Sequence, residues 1–170
     1  MFSSQSNTNP AGPRKYNSGE SLVGMEGRLV KVVDGGSIPE LLLPAAITDV
    51  CLFVVGDGAA LDVQSDVIPL VPGEEVRIRT NGAGNAGAIL VLDAIAGANI
   101  GKVVTIPAVA GLYFSPGTAA EDFVDEQLVK VNPLPRIVNV KSADTLTGAA
   151  DFATLKPLLI TILQAQGIMA

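Results

Sequence analysis

The feature that most constrains this chain is its punctuation. From Leu22 onward, short runs rich in Val, Ile and Leu are cut repeatedly by glycine and proline, leaving little room for a long helix. Runs of this length between turn formers are strand material, because β-branched side chains fit a pleated surface and Gly, Pro, Asn and Asp supply the φ values of turns. The pattern predicts strands over 28–33, 38–43, 51–55, 75–80, 88–92, 102–106, 127–131 and 136–140. In Glu75-Val76-Arg77-Ile78-Arg79 the apolar residues fall two apart with charges between them, as in a strand with one wet face. Turns are expected at Asp34-Gly35-Gly36, Gly56-Asp57-Gly58, Pro72-Gly73 and Asn81-Gly82. A mainly β domain follows, either a small β-barrel or a compact β-sandwich.

Two flanks differ from this body. Residues 1–21 are rich in Ser, Asn, Pro and Gly, show no strand or helix period, and read as an extended N-terminal arm. Its candidate gripping residues are the apolar Phe2 and Tyr16, with Pro10 and Pro13 limiting any main-chain pairing to short pieces. The body is expected over 22–141. Over 142–170, Phe152, Leu155, Leu159 and Ile162 recur at three- and four-residue spacing, with Asp151 as N-cap and Gly167 as C′. That predicts a short C-terminal helix packed on the body or a neighbour, kinked or started late at Pro157.

Composition narrows the chemistry. The chain has no His, one Cys, no Trp and two Tyr. Imidazole-based triads and His-ligated zinc are excluded, and one thiol completes no metal cage. Cys51, in an apolar stretch, reads as a small buried hydrophobe. Eleven basic against seventeen acidic residues give a net charge of -6, which repels phosphate backbones and argues against nucleic-acid binding. The apolar runs are too broken to span a membrane, and the first residues, MFSSQSNTNPAGPRK, lack the apolar core of an export signal, so cytoplasmic synthesis is expected.

Three segments imitate functional motifs. The glycine-rich 81–87 resembles a phosphate cradle, but no Lys-Ser/Thr pair follows and the next run is a strand, so it reads as a hairpin loop. Asp57, Asp62 and Asp66 lack EF-hand spacing and read as solvated loop charges. Glu121, Asp122, Asp125 and Glu126 would need a pocket and a positioning partner to act as catalytic carboxylates, and read as an exposed acidic edge. The chain is expected to be non-enzymatic, with no cofactor and no metal.

The order of four segments resembles a known family. LVGMEGRLVK at 22–31, PLVPGEEVRI at 69–78, GLYFSPGTAAE at 111–121 and QLVKV at 127–131 are similar to segments of the capsid decoration (head cement) proteins of tailed bacteriophages. The resemblance covers about 18–140. It implies a structural virion protein on the outer capsid surface that stabilises the expanded shell, with the major capsid protein and copies of itself, as a homotrimer, for partners. A competing expectation is an outward-facing host-adhesion or carbohydrate-binding module, which the scarcity of aromatic residues disfavours.

Overall fold

In a computed structural model of the chain, residues 12–36 and 38–140 are described. They form ten strands and one short 3-10 turn: β1 Arg14–Ser18, β2 Leu29–Asp34, β3 Pro39–Leu42, β4 Phe53–Asp57, β5 Gln64–Pro69, β6 Val76–Arg79, β7 Ile89–Leu92, the turn Gly97–Asn99, β8 Val103–Thr105, β9 Gly111–Ala119 and β10 Leu128–Val140. The mainly β expectation holds, and of its two forms the barrel is the one seen. β1-β3-β2-β4-β5 close into a five-stranded barrel, followed by a curled five-stranded sheet in the order β6-β10-β9-β7-β8. The expected C-terminal helix lies outside the described residues.

Strands β2 and β4 form a wall shared by both halves. Leu29 and Val54 pair across the two strands and point into the core beneath the curled sheet, beside Phe114, Leu92 and Ile78. Their chain neighbours Val30 and Val55 point the other way, into the barrel with Leu22, Leu41 and Val67. Alternation along a strand puts successive side chains on opposite faces, so a strand buried on both sides must carry consecutive apolar residues. Leu29-Val30 and Val54-Val55 do so. Main-chain bonds tie the halves at the same seam: Gly27 N–H donates to Val55 O at 2.8 Å, Arg79 N–H to Gly27 O at 2.7 Å and Leu29 N–H to Gly101 O at 2.8 Å. Gly27, at φ 80°, leaves no space for a side chain, since a Cβ would lie 2.2 Å from Leu128 Cδ2.

The structure corrects the reading of residues 14–21. Arg14–Ser18 is not part of an arm but the strand that closes the barrel, antiparallel to β5 with Arg14 opposite Val67 and parallel to β3 with Ser18 opposite Leu41. Its side chains gave no apolar period because only part of the strand faces inward. Tyr16 packs edge-on against Phe53 with ring centroids 5.4 Å apart, and the buried Ser18 hydroxyl bonds Ser65 Oγ at 2.7 Å. The expected strands 127–131 and 136–140 are one strand, β10, interrupted by a register shift between Pro133 and Arg136. Strand β9 went unpredicted because it contains Pro116 and Gly117. Gly117 (φ 151°) is required there, as a Cβ would sit 2.1 Å from Asn132 O.

Candidate interaction surface

The glycine-rich loop and the acidic loop, which separately imitate binding motifs, are partners of each other. Gly82 N–H donates to Asp125 Oδ1 at 2.8 Å and Ala86 N–H to Asp122 Oδ1 at 2.8 Å. Gly84 and Phe123 exchange both main-chain bonds, at 3.0 and 2.9 Å. The amides that would cradle a phosphate are thus taken by carboxylates and carbonyls of the same chain. Gly84 is needed for this closeness, as a Cβ would meet the Phe123 ring at 2.5 Å. Glu121 accepts from Lys130 N–H at 3.0 Å and lies 3.6 Å from Arg77, which leaves it a fastening role too. The reading of 121–126 as an exposed acidic edge holds for Asp122, Asp125 and Glu126, which face solvent, and the structure adds that Asp122 and Asp125 clamp one loop onto another.

Asp66 is 3.5 Å from Lys15, and Asp57 faces Asp66 across a bulge in β4. Among the described residues no group of three or more His, Cys, Asp or Glu side chains could hold a metal ion. Cys51 is fully buried in the larger core, and burial, then the nearby Asp49 charge, push its thiol up to about 12. A thiol held protonated at neutral pH is no nucleophile. Asp49 itself is pulled below the ordinary carboxylate range: burial opposes this, but hydrogen bonds from Lys31 and from the Ala45 and Ala46 amides outweigh it.

Of the predicted arm residues, Pro13 is exposed just ahead of β1, whereas Tyr16 is half-buried in the barrel and belongs to the body. Phe2 and Pro10, and the helix residues Phe152, Leu155, Leu159 and Ile162, lie outside the described residues.

Exposed apolar side chains are spread over the described surface, and two groups of them sit close together. The first is a two-stranded ribbon. β10 pairs with β6 only through Val131, and β9 pairs with β7 only at Gly117 and Thr118, so 111–115 and 136–140 pair with each other beyond the sheet. Past Pro133 no residue of β10 is fully buried. Leu112 (50% exposed) and Ile137 (45%) are diagonal neighbours on one ribbon face, since Leu112 opposes Asn139 and Ile137 opposes Phe114. The ribbon's base is held down by the buried Phe114, whose N–H donates to Ile47 O at 2.7 Å. The second place is the barrel mouth, where Val23, Leu61 and Val63 are exposed on loops joined by the Leu22 N–H to Ala59 O bond at 2.8 Å. The ribbon was missed in the sequence because Pro133 and Pro135 read as a break; the matching apolar content of 111–114 and 137–140 was its available signal.

No protein-family model matches this sequence, and no curated protein matches it. Among solved structures, the head fiber gp8.5 N base of bacteriophage phi29 is similar at 18% identity, with a TM-score of 0.53 over 72% of this chain and 92% of that one. At that identity the likeness establishes a shared fold.

Proposed function

We propose that this chain is a non-enzymatic structural protein of a tailed-phage virion, seated on the outside of the head and stabilising the expanded shell as a decoration protein. The observation that carries this is the shared fold: the barrel and curled sheet match the base of a phage head fiber over most of both chains. The resemblance of 22–31, 69–78, 111–121 and 127–131 to decoration proteins points the same way. The structure supplies a reason for the reading at the level of chemistry too. The glycine-rich loop and the acidic loop, which imitate reactive sites, are joined to each other by Asp122 and Asp125, and exposed apolar side chains on a rigid frame are left as a means of interaction.

Partners in this reading are the major capsid protein and further copies of the chain, most simply three about an axis, since closed symmetry suits capsomer junctions. The ribbon face with Leu112 and Ile137 is the contact between copies. Its outer strand from Ile137 to Val140 carries no charge, so approaching copies bring no like charges together there. Binding to the expanded shell but not to its precursor stabilises the former by mass action. The carbohydrate-binding alternative gains nothing from the described residues, whose aromatic side chains are all at least half-buried. The test is to mix purified protein with expanded, undecorated capsids and image them by cryo-electron microscopy. Regular density at symmetry-related outer sites is expected. Bare capsids at saturating protein would defeat the proposal.

A further inference from the structure

At the seam between barrel and sheet, the turn from Asn99 to Lys102 places an amine, a carboxamide and a carboxylate together. Lys102 is buried, its side chain only 3% exposed, and its Nζ donates to Asn99 Oδ1 at 3.0 Å while also contacting Glu126 Oε1. The turn is rigid. Lys102 N–H donates to Asn99 O at 3.0 Å, and Gly101, at φ 74°, has Leu29 O 2.8 Å from where a Cβ would be. Glu126 is equally constrained, with a left-handed φ of 60° unusual for a side-chain-bearing residue. Two more cations crowd the same carboxylate. Arg79 Nη1 lies 3.8 Å from Glu126 Oε2, and Arg28, anchored to Ile100 O at 2.8 Å, leaves its Nε buried without a partner.

A simple ion pair is a poor account of this arrangement. Lys102, Arg79 and Arg28 share two carboxylates, Glu126 and the Glu26 near Arg28, and holding the Lys102 charge buried is costly. We propose that Lys102 and Asn99 join in an intramolecular isopeptide bond, with Glu126 as the proton carrier. Glu126 takes a proton from the Lys102 ammonium, and the free amine attacks Asn99 Cγ, reached from the hydrogen-bonded position by rotation of the amide. The Nζ–Cγ bond forms, the attacking nitrogen gives up its second proton by way of the Glu126 carboxylate, the Cγ–Nδ2 bond breaks, and the departing nitrogen, having received both protons through Glu126, leaves as ammonium. No oxidant or cofactor enters the balance. Fixed proximity replaces a bimolecular encounter, which accounts for reaction at an ordinarily inert amide. Glu126 is 52% exposed, so ammonium has a route out. The product removes one cation from the cluster and locks the turn that receives Leu29 N–H.

Intact mass of the purified full-length chain tests this directly: it should be lighter than the sequence mass by one ammonia. Trypsin acting on the denatured protein should fail to cut after Lys102, yielding residues 80–130 as one peptide that carries the deficit. Full mass with cleavage after Lys102 would overturn the proposal. Ammonia loss with cleavage retained would overturn it equally, since that is a succinimide at an asparagine. Glu126→Gln should restore both the full mass and the cleavage, and a Gln variant that still cross-links would remove Glu126 from the mechanism.

Discussion

The barrel and the curled sheet share a wall of two strands but are closed in different ways. The barrel closes with a strand of sequence RKYNS, whose contribution is mostly main-chain hydrogen bonds on both edges, plus one half-buried ring and one buried hydroxyl. The sheet keeps a larger apolar core, with Phe114, Leu90, Leu92, Ile78, Val129 and Val131, and brings its edges together through a single bridge, Thr80 to Val103, and the interlocked loops 81–87 and 120–127. Closure by backbone pairing makes few demands on side chains; closure by packing makes many. Side-chain pattern is therefore a good guide to strands held by packing, β2 to β4 and β6 to β8, and a poor one to β1 and β5, the pair that closes the barrel.

The largest effect should come from removing the barrel's closing strand. A chain lacking residues 2–18 exposes the paired edges of β3 and β5 and strips Tyr16 from Phe53. That loss is comparable with the roughly 5–15 kcal/mol that holds a whole domain folded, so the chain should be insoluble or lack a cooperative transition. A chain lacking only residues 2–11 should melt close to the parent. Circular dichroism melts of the two deletions check this, and a normally folded 2–18 deletion would mean that β1 is dispensable and the barrel's closure incidental.

The shared wall makes a second test. Leu29→Ala empties space in the larger core from a strand whose other face builds the barrel, and should cost about 2–5 kcal/mol. Because the two bodies meet there, both should unfold together. Urea titrations followed by tyrosine fluorescence in Tyr113→Phe, which reports Tyr16 in the barrel, and in Tyr16→Phe, which reports Tyr113 in the sheet, should give coincident midpoints. Separated midpoints would show two independent units.

How far the sequence led can be read from particular elements. Val76–Arg79, Ile89–Leu92 and Val103–Thr105 fall within the expected runs, the first by its alternation of buried and half-exposed side chains, the second as a continuous apolar run buried on both faces, and all bounded by turn residues. Arg14–Ser18 and Gln64–Pro69 were illegible for the opposite reason: their partner strands, not their own side chains, make them strands. Of the proposed contact residues, Tyr16 turned inward for the same cause. The Asn99, Lys102 and Glu126 constellation could not be foreseen, since Glu126 is brought there by a loop whose position depends on the clamp with 81–87.

A smaller effect separates the cores by polarity. Ser65 Oγ accepts from Ala59 N–H at 2.8 Å and pairs with Ser18 Oγ inside the barrel. Ser65→Ala leaves both groups without that partner and should lower stability by about 1–3 kcal/mol. The sheet core has no such pair among the described residues, so a small cut there, Val129→Ala, should act through lost packing alone. Denaturant midpoints of Ser65→Ala, Ser18→Ala and the double variant resolve this: the double should be less destabilised than the sum of the singles, and strict additivity would mean that the two hydroxyls do not interact.

Acid should also act on the barrel side. Asp49 has a folded-state pKa below its unfolded one, so its stabilising contribution is complete above the unfolded value of about 3.9 and is lost as pH falls through the folded value. Asp49→Asn should be the less stable protein at neutral pH and should lose less on acidification. Melting curves between neutral pH and the acid limb test this, and parallel pH profiles for the two proteins would show that the Lys31, Ala45 and Ala46 contacts do not hold the carboxylate ionised.

The smallest effect on folding carries the sharpest functional meaning. Each body has its own exposed apolar patch, Leu112 with Ile137 on the ribbon and Val23 with Leu61 at the barrel mouth. Serine at either pair trims side chains that are about half exposed and belong to neither core, so stability should shift by no more than about 1 kcal/mol per site. Association should not respond equally. The ribbon patch lies on two paired strands anchored at Phe114, with Leu112 and Ile137 adjacent on one face, whereas Val23 and Leu61 sit on two separate turns and form a less continuous face. Leu112→Ser with Ile137→Ser should therefore dissociate the proposed oligomer in sedimentation velocity and weaken retention on expanded capsids, while Val23→Ser with Leu61→Ser should leave the proposed oligomer intact. The reverse result would move the subunit contact from the sheet to the barrel. An intact oligomer in both would place it on residues other than these two patches.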